Sequence, residues 1–369
     1  MMLETEAGTG VYEETTASEW PIDGYEFNET LSKCENGSEL SWDNNLKKVI
    51  FASTKADKCY IYFDIKKDPT FADYIIDEVY SVDGVNDLYY HDGVGTYTNA
   101  DQEAGDNSYR YSGANPNNYV CFGSDAATCP NDNLYRIIGV FESQIKLIKY
   151  DYATDSLLGI DGAYSGSSSA SDYTSYKGSQ SALYWYYWDN ISNSNIWNNS
   201  SLNTINLNTN FLENVESRWS NLIAEHIWQV GGLTNTNGYN SNAQTAFNYE
   251  VGLNTANVTY IAKIGLMYVS DYYYSASSIY WNYAGFNSSS ATSDYRAAIN
   301  NNWLYMGGFD WTLSRILDTT DSIFFISRPG ATSYRNANGL SGVRPAFYLS
   351  SEVILVGGSG TISDPYRIS

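Results

Sequence analysis

The sequence predicts an α+β fold of mixed sheets, few helices and long irregular loops, preceded by a small all-β module. Short runs of β-branched and aromatic residues alternate with Gly-, Asn- and Ser-rich segments along most of the chain, a pattern of short strands joined by turns. Helical periodicity is confined to a few stretches. With 43% hydrophobic residues in 369, the chain can form a sizeable core and more than one domain.

The surface must be built mainly from uncharged polar residues. Only 17% of residues are charged, the net charge is −22, and 35 residues are tyrosine. The negative charge would repel a phosphate backbone, so nucleic acid is not expected as a partner. Tyrosine suits both half-buried sheet positions and binding surfaces, because its ring can be buried while its hydroxyl stays in water.

The front of the chain divides into three predicted segments. Residues 1–21 are rich in Glu, Thr and Gly, which indicates a disordered lead. Residues 22–65 form a small disulfide-linked β module, and residues 66–108 a connecting helix followed by an acidic loop. The predicted strands of the module cover residues 25–31, 39–43, 47–52 and 58–64.

The four cysteines fall into two local pairs, Cys34 with Cys59 and Cys121 with Cys129. Zinc sites favour closer Cys spacing with further Cys or His nearby, so two structural disulfides are the better interpretation. Disulfides imply an oxidising, exported setting; four free buried thiols in a cytosolic protein are the alternative. The sequence has no signal peptide and no apolar run of membrane-spanning length, so any anchor is expected to lie in a segment absent from this chain.

The connecting segment combines a helix with a loop. Helical spacing places Phe71, Ile75 and Val79 on one face of a helix over residues 70–81. In the loop, residues 83–107, three carboxylates could be considered as calcium ligands, but their spacing does not match an EF-hand, and a solvated loop is favoured. These carboxylates are Asp101, Glu103 and Asp106. His91 is predicted to be a loop residue.

The large domain, residues 109–369, opens with the clearest hairpin of the chain, over residues 135–149. Its first arm is almost entirely apolar, which predicts a central strand. An amphipathic helix is predicted to begin at a capping box of Asn210 and Glu213, with His226 on its surface. The remaining predictions are strands over 262–269, 323–327 and 343–349, a short helix over 294–303, and a terminal hairpin over 352–368.

The order of motifs in the large domain resembles a known fold. An early Trp311 and Arg315, a variable polar span, and Gly342-Val343-Arg344-Pro345 before an apolar strand resemble the end of C-type-lectin-like domains. This pattern occurs in the formylglycine-generating-enzyme branch, its bacterial surface relatives and the variable proteins of diversity-generating retroelements. The front module resembles small modules on exported, pilin-like proteins of Firmicutes. The resemblance implies a C-type-lectin-like domain over residues 109–369.

The chemistry of these relatives does not carry over to this chain. Formylglycine-generating enzymes bind copper with a cysteine pair late in the domain, and no cysteine follows Cys129 here. Calcium-binding lectins use acidic motifs, whereas this chain has only Asn115-Pro116-Asn117 and Trp197-Asn198-Asn199. No zincin pair accompanies His226, and no phosphate-binding loop or nucleophile elbow is present. The sequence therefore predicts no enzyme, no cofactor and no metal site.

The resemblance concentrates recognition in the loops before the last strands, where Tyr and Asn are frequent. The predicted ligand-binding residues are Tyr272, Tyr273, Tyr274, Tyr280, Trp281, Tyr283, Tyr334, Arg335, Asn336 and Asn338. Trp311, Arg315 and Arg344 are predicted to be structural. A buried Arg344 would need a carboxylate partner such as Asp310, with ligand contact as the alternative role.

These observations predict a non-catalytic recognition or adhesion protein, extracellular or on a bacterial cell surface. Its expected partner is a glycan or a protein on another surface. The alternatives are a structural or pilus-tip assembly component, indicated by the front disulfide module, and, less favoured, a carbohydrate hydrolase with paired carboxylates.

Overall fold

A computed structural model describes residues 1–15, 24–43, 46–52, 55–92, 102–239, 241–282 and 293–369. The protein is mixed α+β, mostly strands with few helices, as predicted. Two units are present, Met1–Pro69 and Thr70–Ser369. The predicted divisions at residues 65 and 109 differ from this one, because the segment after residue 69 packs into the large unit. No helix among the described residues is both long and apolar enough to cross a membrane.

The small unit is built from short strands. They are β1 (Met2–Glu4), β2 (Tyr12–Glu14), β3 (Tyr25–Phe27), β4 (Lys33–Cys34), β5 (Glu39–Asp43), β6 (Lys48–Ala52), β7 (Cys59–Tyr60) and β8 (Tyr62–Ile65). One sheet has the order β2-β1-β8-β3, and β4 pairs with β7 and β5 with β6. The segment predicted to be a disordered lead thus contributes β1 and β2, whereas its residues 16–21 lie outside the described residues.

Long-range backbone pairing explains why the first residues are ordered. Leu3 of β1 pairs with Phe63 of β8 in a parallel register. The buried Glu4 carboxylate accepts from the backbone N–H groups of Gly10 and Ile65, at 3.1 and 3.0 Å. Composition alone could not reveal partners about sixty residues away.

The core of the small unit is thin. Phe63 is the one buried hydrophobic side chain among its described residues, and its ring lies 5.8 Å from Phe27 and 5.6 Å from Trp42. Cys34 and Cys59 form a disulfide between β4 and β7, which confirms the predicted pairing. A unit this small depends on such a crosslink.

The strands of the large unit are β9 (Leu88–His91), β10 (Ser108–Tyr111), β11 (Tyr119–Cys121), β12 (Leu134–Phe141), β13 (Gln144–Lys149), β14 (Tyr164–Ser169), β15 (Ala182–Tyr186), β16 (His226–Gln229), β17 (Thr259–Ala262), β18 (Ile264–Gly265), β19 (Asp310–Arg315), β20 (Ser322–Ile326), β21 (Thr332–Asn336), β22 (Ala346–Tyr348), β23 (Leu355–Gly357) and β24 (Arg367–Ile368). The central sheet has the order β18-β22-β13-β12-β10-β9, with β11 also paired to β12. A second sheet has the order β19-β20-β21.

The helices of this unit are short. They are α1 (Phe71–Tyr74), α2 (Asp155–Leu158), α3 (Leu212–Asn214), α4 (Glu216–Ser220), α5 (Asn235–Tyr239), α6 (Ala243–Glu250), α7 (Val269–Tyr274) and α8 (Ser293–Asn300). α1 continues as a π-helix, Ile75–Val79, and a second π-helix spans Leu202–Phe211. Single turns of 3₁₀-helix cover Val85–Asp87, Asn131–Asn133, Ala170–Asp172, Trp197–Asn199 and Ser278–Tyr280.

Several local predictions hold in the large unit. The β12–β13 hairpin forms at the centre of the main sheet, as its apolar first arm indicated. The helix beginning after Thr70 is capped by that side chain, which accepts from the backbone N–H of Asp73 at 3.1 Å. Cys121 and Cys129 form the second predicted disulfide.

The predicted helix from Asn210 to beyond His226 is wrong at both ends. Helical structure begins at Leu202, and the Asn210 side chain donates to the Leu158 carbonyl instead of capping a helix. It ends with α4, because the backbone N–H of Ala224 bonds to the Tyr348 carbonyl and the chain continues as β16. His226 therefore lies on a strand, and its ring is stacked on Tyr348 at 3.6 Å.

The predicted strand over residues 262–269 is also shorter than expected. It ends at Gly265, and α7 begins at Val269. Two buried carboxylates explain the start of α7. Asp271 accepts from the backbone N–H of Tyr268 at 2.8 Å, and Glu250 accepts from those of Val269 and Ser270 at 3.1 and 2.9 Å. These bonds satisfy the first N–H groups of the helix.

Candidate recognition cleft

Three of the predicted ligand-binding residues are core residues. Tyr272, Tyr273 and Tyr274 on α7 are 0%, 0% and 1% exposed. Their hydroxyls donate to the carbonyls of Gly330, Gly238 and Gln102, respectively. The prediction that they present a surface is therefore wrong. The carboxylate caps start a helix here, and its side chains are packed into the main hydrophobic core.

Trp281 is only 2% exposed. Its indole N–H donates to the carbonyls of Tyr274 and Ala276, at 3.2 and 3.0 Å. It therefore anchors the end of the loop that follows α7. Tyr280 is half-buried in the adjoining 3₁₀ turn. Tyr283 lies outside the described residues.

The remaining predicted ligand residues lie on β21 and the turn after it. Tyr334 is 49% exposed, and Asn336 and Asn338 are also exposed. Arg335 points to the other face of the strand, where its guanidinium lies 3.8 Å from the Phe325 ring centre and 4.7 Å from that of Phe309. Arg335 is thus held by the fold, whereas the other three side chains face solvent.

A cleft of about 330 Å³ lies beside Trp281. Its volume is in the range of small-molecule sites. Its lining combines aromatic rings with carboxyl, hydroxyl and amide groups. The lining residues are Asp83, Tyr89, Glu103, Ser278, Ile279, Trp281 and Asn282.

Strand β9 and the 3₁₀ turn Ser278–Tyr280 place the aromatic part of the cleft. The rings of Tyr89 and Trp281 meet edge to face, with centroids 5.1 Å apart. The Ser278 hydroxyl donates to the Tyr89 hydroxyl at 3.2 Å. Gly84 has a φ of +83°, and a Cβ there would lie 3.0 Å from the Tyr89 hydroxyl. Glycine therefore permits the turn that brings Asp83 next to this ring.

The acidic rim of the cleft consists of Asp83 and Glu103. The fold holds Asp83 in place. The Asp83 carboxylate accepts from the backbone N–H of Tyr90 at 2.8 Å and from the Tyr80 hydroxyl at 3.0 Å. Burial raises the pKa of Tyr80 to about 12, helped by its bond to Asp83 and by the charge of Glu103. This corner of the protein is thus an acidic environment that favours hydrogen-bond donors or cations as ligands.

His91 lies behind the cleft and not in a loop as predicted. It is fully buried on β9, with its ring centroid 5.0 Å from Trp281 and 4.8 Å from Tyr274. Nδ1 accepts from the backbone N–H of Ala104 at 2.8 Å. Burial and the nearby Arg110 charge lower the pKa of His91 to about 3, so the ring is neutral at physiological pH.

Further clefts lie in other parts of the chain that the structure describes. One of about 560 Å³ lies beside the Cys121–Cys129 loop and contains an Arg218–Asp125 ion pair. Another, of about 420 Å³, is lined by loop residues such as Asn131 and Ser179, which already bond to each other. A cleft of about 650 Å³ lies in the small unit beside Phe51.

The carboxylates considered as calcium ligands do not cluster in the described parts of the chain. Asp106 binds Arg110 at 2.6 Å, and Asp101 lies outside the described residues. No group of three or more His, Cys, Asp or Glu is placed to hold a metal ion among the residues described.

Only one wall of the cleft was predicted from the sequence. Trp281 was named as a ligand residue and Glu103 was weighed only as a calcium ligand, whereas Asp83 and Tyr89 were missed because the acidic segment before β10 was interpreted as a solvated loop. The run Leu88-Tyr89-Tyr90-His91 forms β9 and pairs with β10 in antiparallel register. Its apolar and aromatic residues favour a strand, and they were the available signal.

The arrangement suits recognition of a small polar molecule. Carboxylate and amide oxygens accept bonds from hydroxyl groups, and aromatic edges contact apolar faces. No protein-family model, curated protein or solved structure matches the chain. The geometry of the cleft is therefore the main guide to function.

Proposed function

We propose that the protein is a non-catalytic, exported recognition protein that binds a saccharide in the cleft beside Trp281. The observation that carries this proposal is the convergence of two aromatic residues, two carboxylates and an amide around one cavity. A sugar ring offers hydroxyl donors to the carboxylates and an apolar face to the ring of Tyr89, while Trp281, which is only 2% exposed, supports that ring from behind. The cavity volume of about 330 Å³ limits the bound part to a small unit of a larger glycan.

Two further features support this function. The two disulfides favour an oxidising, exported setting. The mixed sheets with few helices are compatible with a C-type-lectin-like scaffold, which presents recognition loops on a rigid frame. The cleft is formed by β9, by the connecting segments on either side of it and by the segment after α7.

The test is a binding screen of the full chain against a glycan panel and a panel of surface proteins. We expect saturable binding to one class of glycan, and weaker binding in Asp83→Asn. Asp83→Asn keeps an oxygen for the Tyr90 N–H while removing one negative charge from the rim. Folded protein that binds no glycan, or that binds equally well after this substitution, would contradict the proposal.

Calcium is tested in the same screen. Binding is measured with added calcium and with a chelator, because acidic rims attract divalent cations. The proposal expects equal affinity in both conditions. A loss of affinity with the chelator would assign the carboxylates to a cation and not to sugar hydroxyls.

A further inference from the structure

Lys146 and Asp271 form an unusually enclosed pair. Lys146 lies on β13 in the central sheet, and Asp271 lies in the first turn of α7. Nζ of Lys146 is 2.6 Å from Oδ2 of Asp271, and the side chains are 1% and 2% exposed. The amine and the carboxyl carbon are thus held within reach of each other in a site closed to water.

Aromatic rings surround the amine. The Nζ atom lies 4.5 Å from the ring centre of Tyr268, 5.4 Å from that of Trp228 and 5.5 Å from that of Tyr348. Burial in this shell lowers the pKa of Lys146, although the carboxylate of Asp271 opposes the shift. A neutral amine is the nucleophilic form of lysine, and desolvation increases its population.

Hydrogen-bond donors and a cation surround the carboxyl group. The backbone N–H of Tyr268 donates to Oδ2 at 2.8 Å, and Nη1 of Arg110 lies 3.6 Å from Oδ1. Both would stabilise negative charge that develops on the oxygens during attack on the carboxyl carbon.

Glu250 places a second carboxyl group at the same end of α7. It is buried and accepts from the N–H groups of Val269 and Ser270, the two residues before Asp271. Burial raises the pKa of Glu250 to about 7, and the charge of Asp271 adds to the shift. Glu250 thus holds the first turn of α7, which contains Asp271, next to Lys146.

We propose that Lys146 and Asp271 condense to an isopeptide bond, with Glu250 as the positioning residue that holds the first turn of α7 next to the amine. The Nζ–Cγ bond forms and one Cγ–O bond breaks. The departing oxygen leaves as water, taking up the two protons that the ammonium group loses. The remaining oxygen becomes the amide carbonyl, and the step needs no oxidant, reductant or cofactor.

The consequence is a covalent link between the central sheet and α7. The link makes a covalent loop of residues 146–271. β13 and α7 therefore stay joined even when the large unit unfolds. The amide also removes one buried cation and one buried anion, which relieves their desolvation.

The decisive measurement is the intact mass of the folded full chain after reduction of its disulfides. We expect a mass lower than that of the sequence by one water molecule. The full sequence mass in folded protein would overturn the proposal and leave an ion pair only. An Asp–Gly succinimide also loses one water, so the position of the link must be mapped.

Trypsin digestion locates the link. A modified Lys146 is not cleaved, so peptide 137–149 should appear joined to peptide 264–296, as these contain Lys146 and Asp271 between tryptic sites. Peptides 137–146 and 264–296, which trypsin would release from an unlinked chain, should be missing. Recovery of both linear peptides in full yield, with the water loss elsewhere, would contradict the assignment.

Variants of Lys146 and Glu250 test the role of each residue separately. Lys146→Arg keeps the charge but cannot form this bond, so it should have the full mass. Glu250→Gln keeps only one of the two oxygens that hold the first turn of α7, so it should fold and yet form the link at least ten times more slowly, as followed by mass spectrometry after refolding. A folded Glu250→Gln variant that links as fast as the unmodified protein would remove Glu250 from the proposal.

Discussion

Arg344 donates from Nε to Oδ2 of Asp310 at 2.6 Å, and both side chains are almost fully buried. Nη2 of Arg344 also donates to the carbonyl of Leu304 at 2.7 Å. The pair joins the start of β19 to the segment that enters β22. Asp310 was the predicted partner of Arg344, and this contact gives the arginine a structural role.

Removal of one partner from the Arg344–Asp310 pair should lower the stability of the protein. Asp310→Ala leaves the guanidinium buried without its carboxylate, and we expect the free energy of unfolding to fall by about 3–5 kcal/mol. Chemical denaturation monitored by tryptophan fluorescence measures the change. In the double variant Asp310→Leu with Arg344→Met, most of the loss should be recovered, because neither charge remains. An equal loss in the double variant would contradict this account.

Loss of the Tyr273 side chain should destabilise the protein, whereas loss of the Tyr334 side chain should not. Tyr273→Ala removes a fully buried ring and its bond to Gly238, so we expect a loss of about 3–5 kcal/mol in stability. Tyr334→Ala removes an exposed ring and should change stability by less than about 0.5 kcal/mol. Thermal unfolding of both variants checks the difference. Similar unfolding temperatures would show that α7 is not packed as described.

The disulfide of the small unit should carry much of its stability. Cys34→Ser with Cys59→Ser removes the crosslink from a unit with one buried hydrophobic side chain in its described part, and we expect a loss of about 2–5 kcal/mol. Limited proteolysis should then cut within residues 1–69 while the large unit stays intact. The matched control is Cys121→Ser with Cys129→Ser, which should leave the small unit protected.

His91 should contribute to acid sensitivity. Its pKa is lowered to about 3 in the folded protein, against an ordinary value of 6.5. Between these values the unfolded chain binds a proton that the folded chain does not, so stability falls as the pH is lowered from about 6.5. This contribution is at most about 1.4 kcal/mol per pH unit.

The variant His91→Gln tests that contribution, because its side-chain oxygen can accept from the Ala104 N–H in place of Nδ1. Urea denaturation at several pH values between about 4 and 7 should give a shallower loss of stability than in the unmodified protein. An identical pH dependence would show that His91 titrates normally.

Local patterns predicted some elements well. The β12–β13 hairpin depends on neighbouring residues, and its apolar first arm indicated a central position. The cysteine spacing predicted both disulfides. In contrast, β1 depends on pairing with β8, about sixty residues away, and the lead therefore looked disordered. Sequence spacing contains no direct signal for such distant partners.

The candidate site also combines features that neighbouring residues indicate with features that depend on distant contacts. A run of tyrosines at residues 272–274 has the composition of a binding surface, but capping by Glu250 and Asp271 turns it into a buried helix. The carboxylates of the cleft were visible in the sequence, yet only the folding of β9 and the turn at Gly84 bring Tyr89 and Asp83 to one cavity. Composition predicted the kind of residue and not its position.

The most direct test of the recognition account is the affinity of the full chain for its selected glycan, measured by calorimetry for matched charge variants. Asp83→Asn alters the rim of the cleft, whereas Asp92→Asn makes the same change at an exposed position that does not line it. We expect at least a tenfold loss of affinity for Asp83→Asn, about 1.4 kcal/mol, and unchanged affinity for Asp92→Asn. Equal affinities in the two variants, or a loss only in Tyr334→Ala, would contradict the account and move recognition to β21.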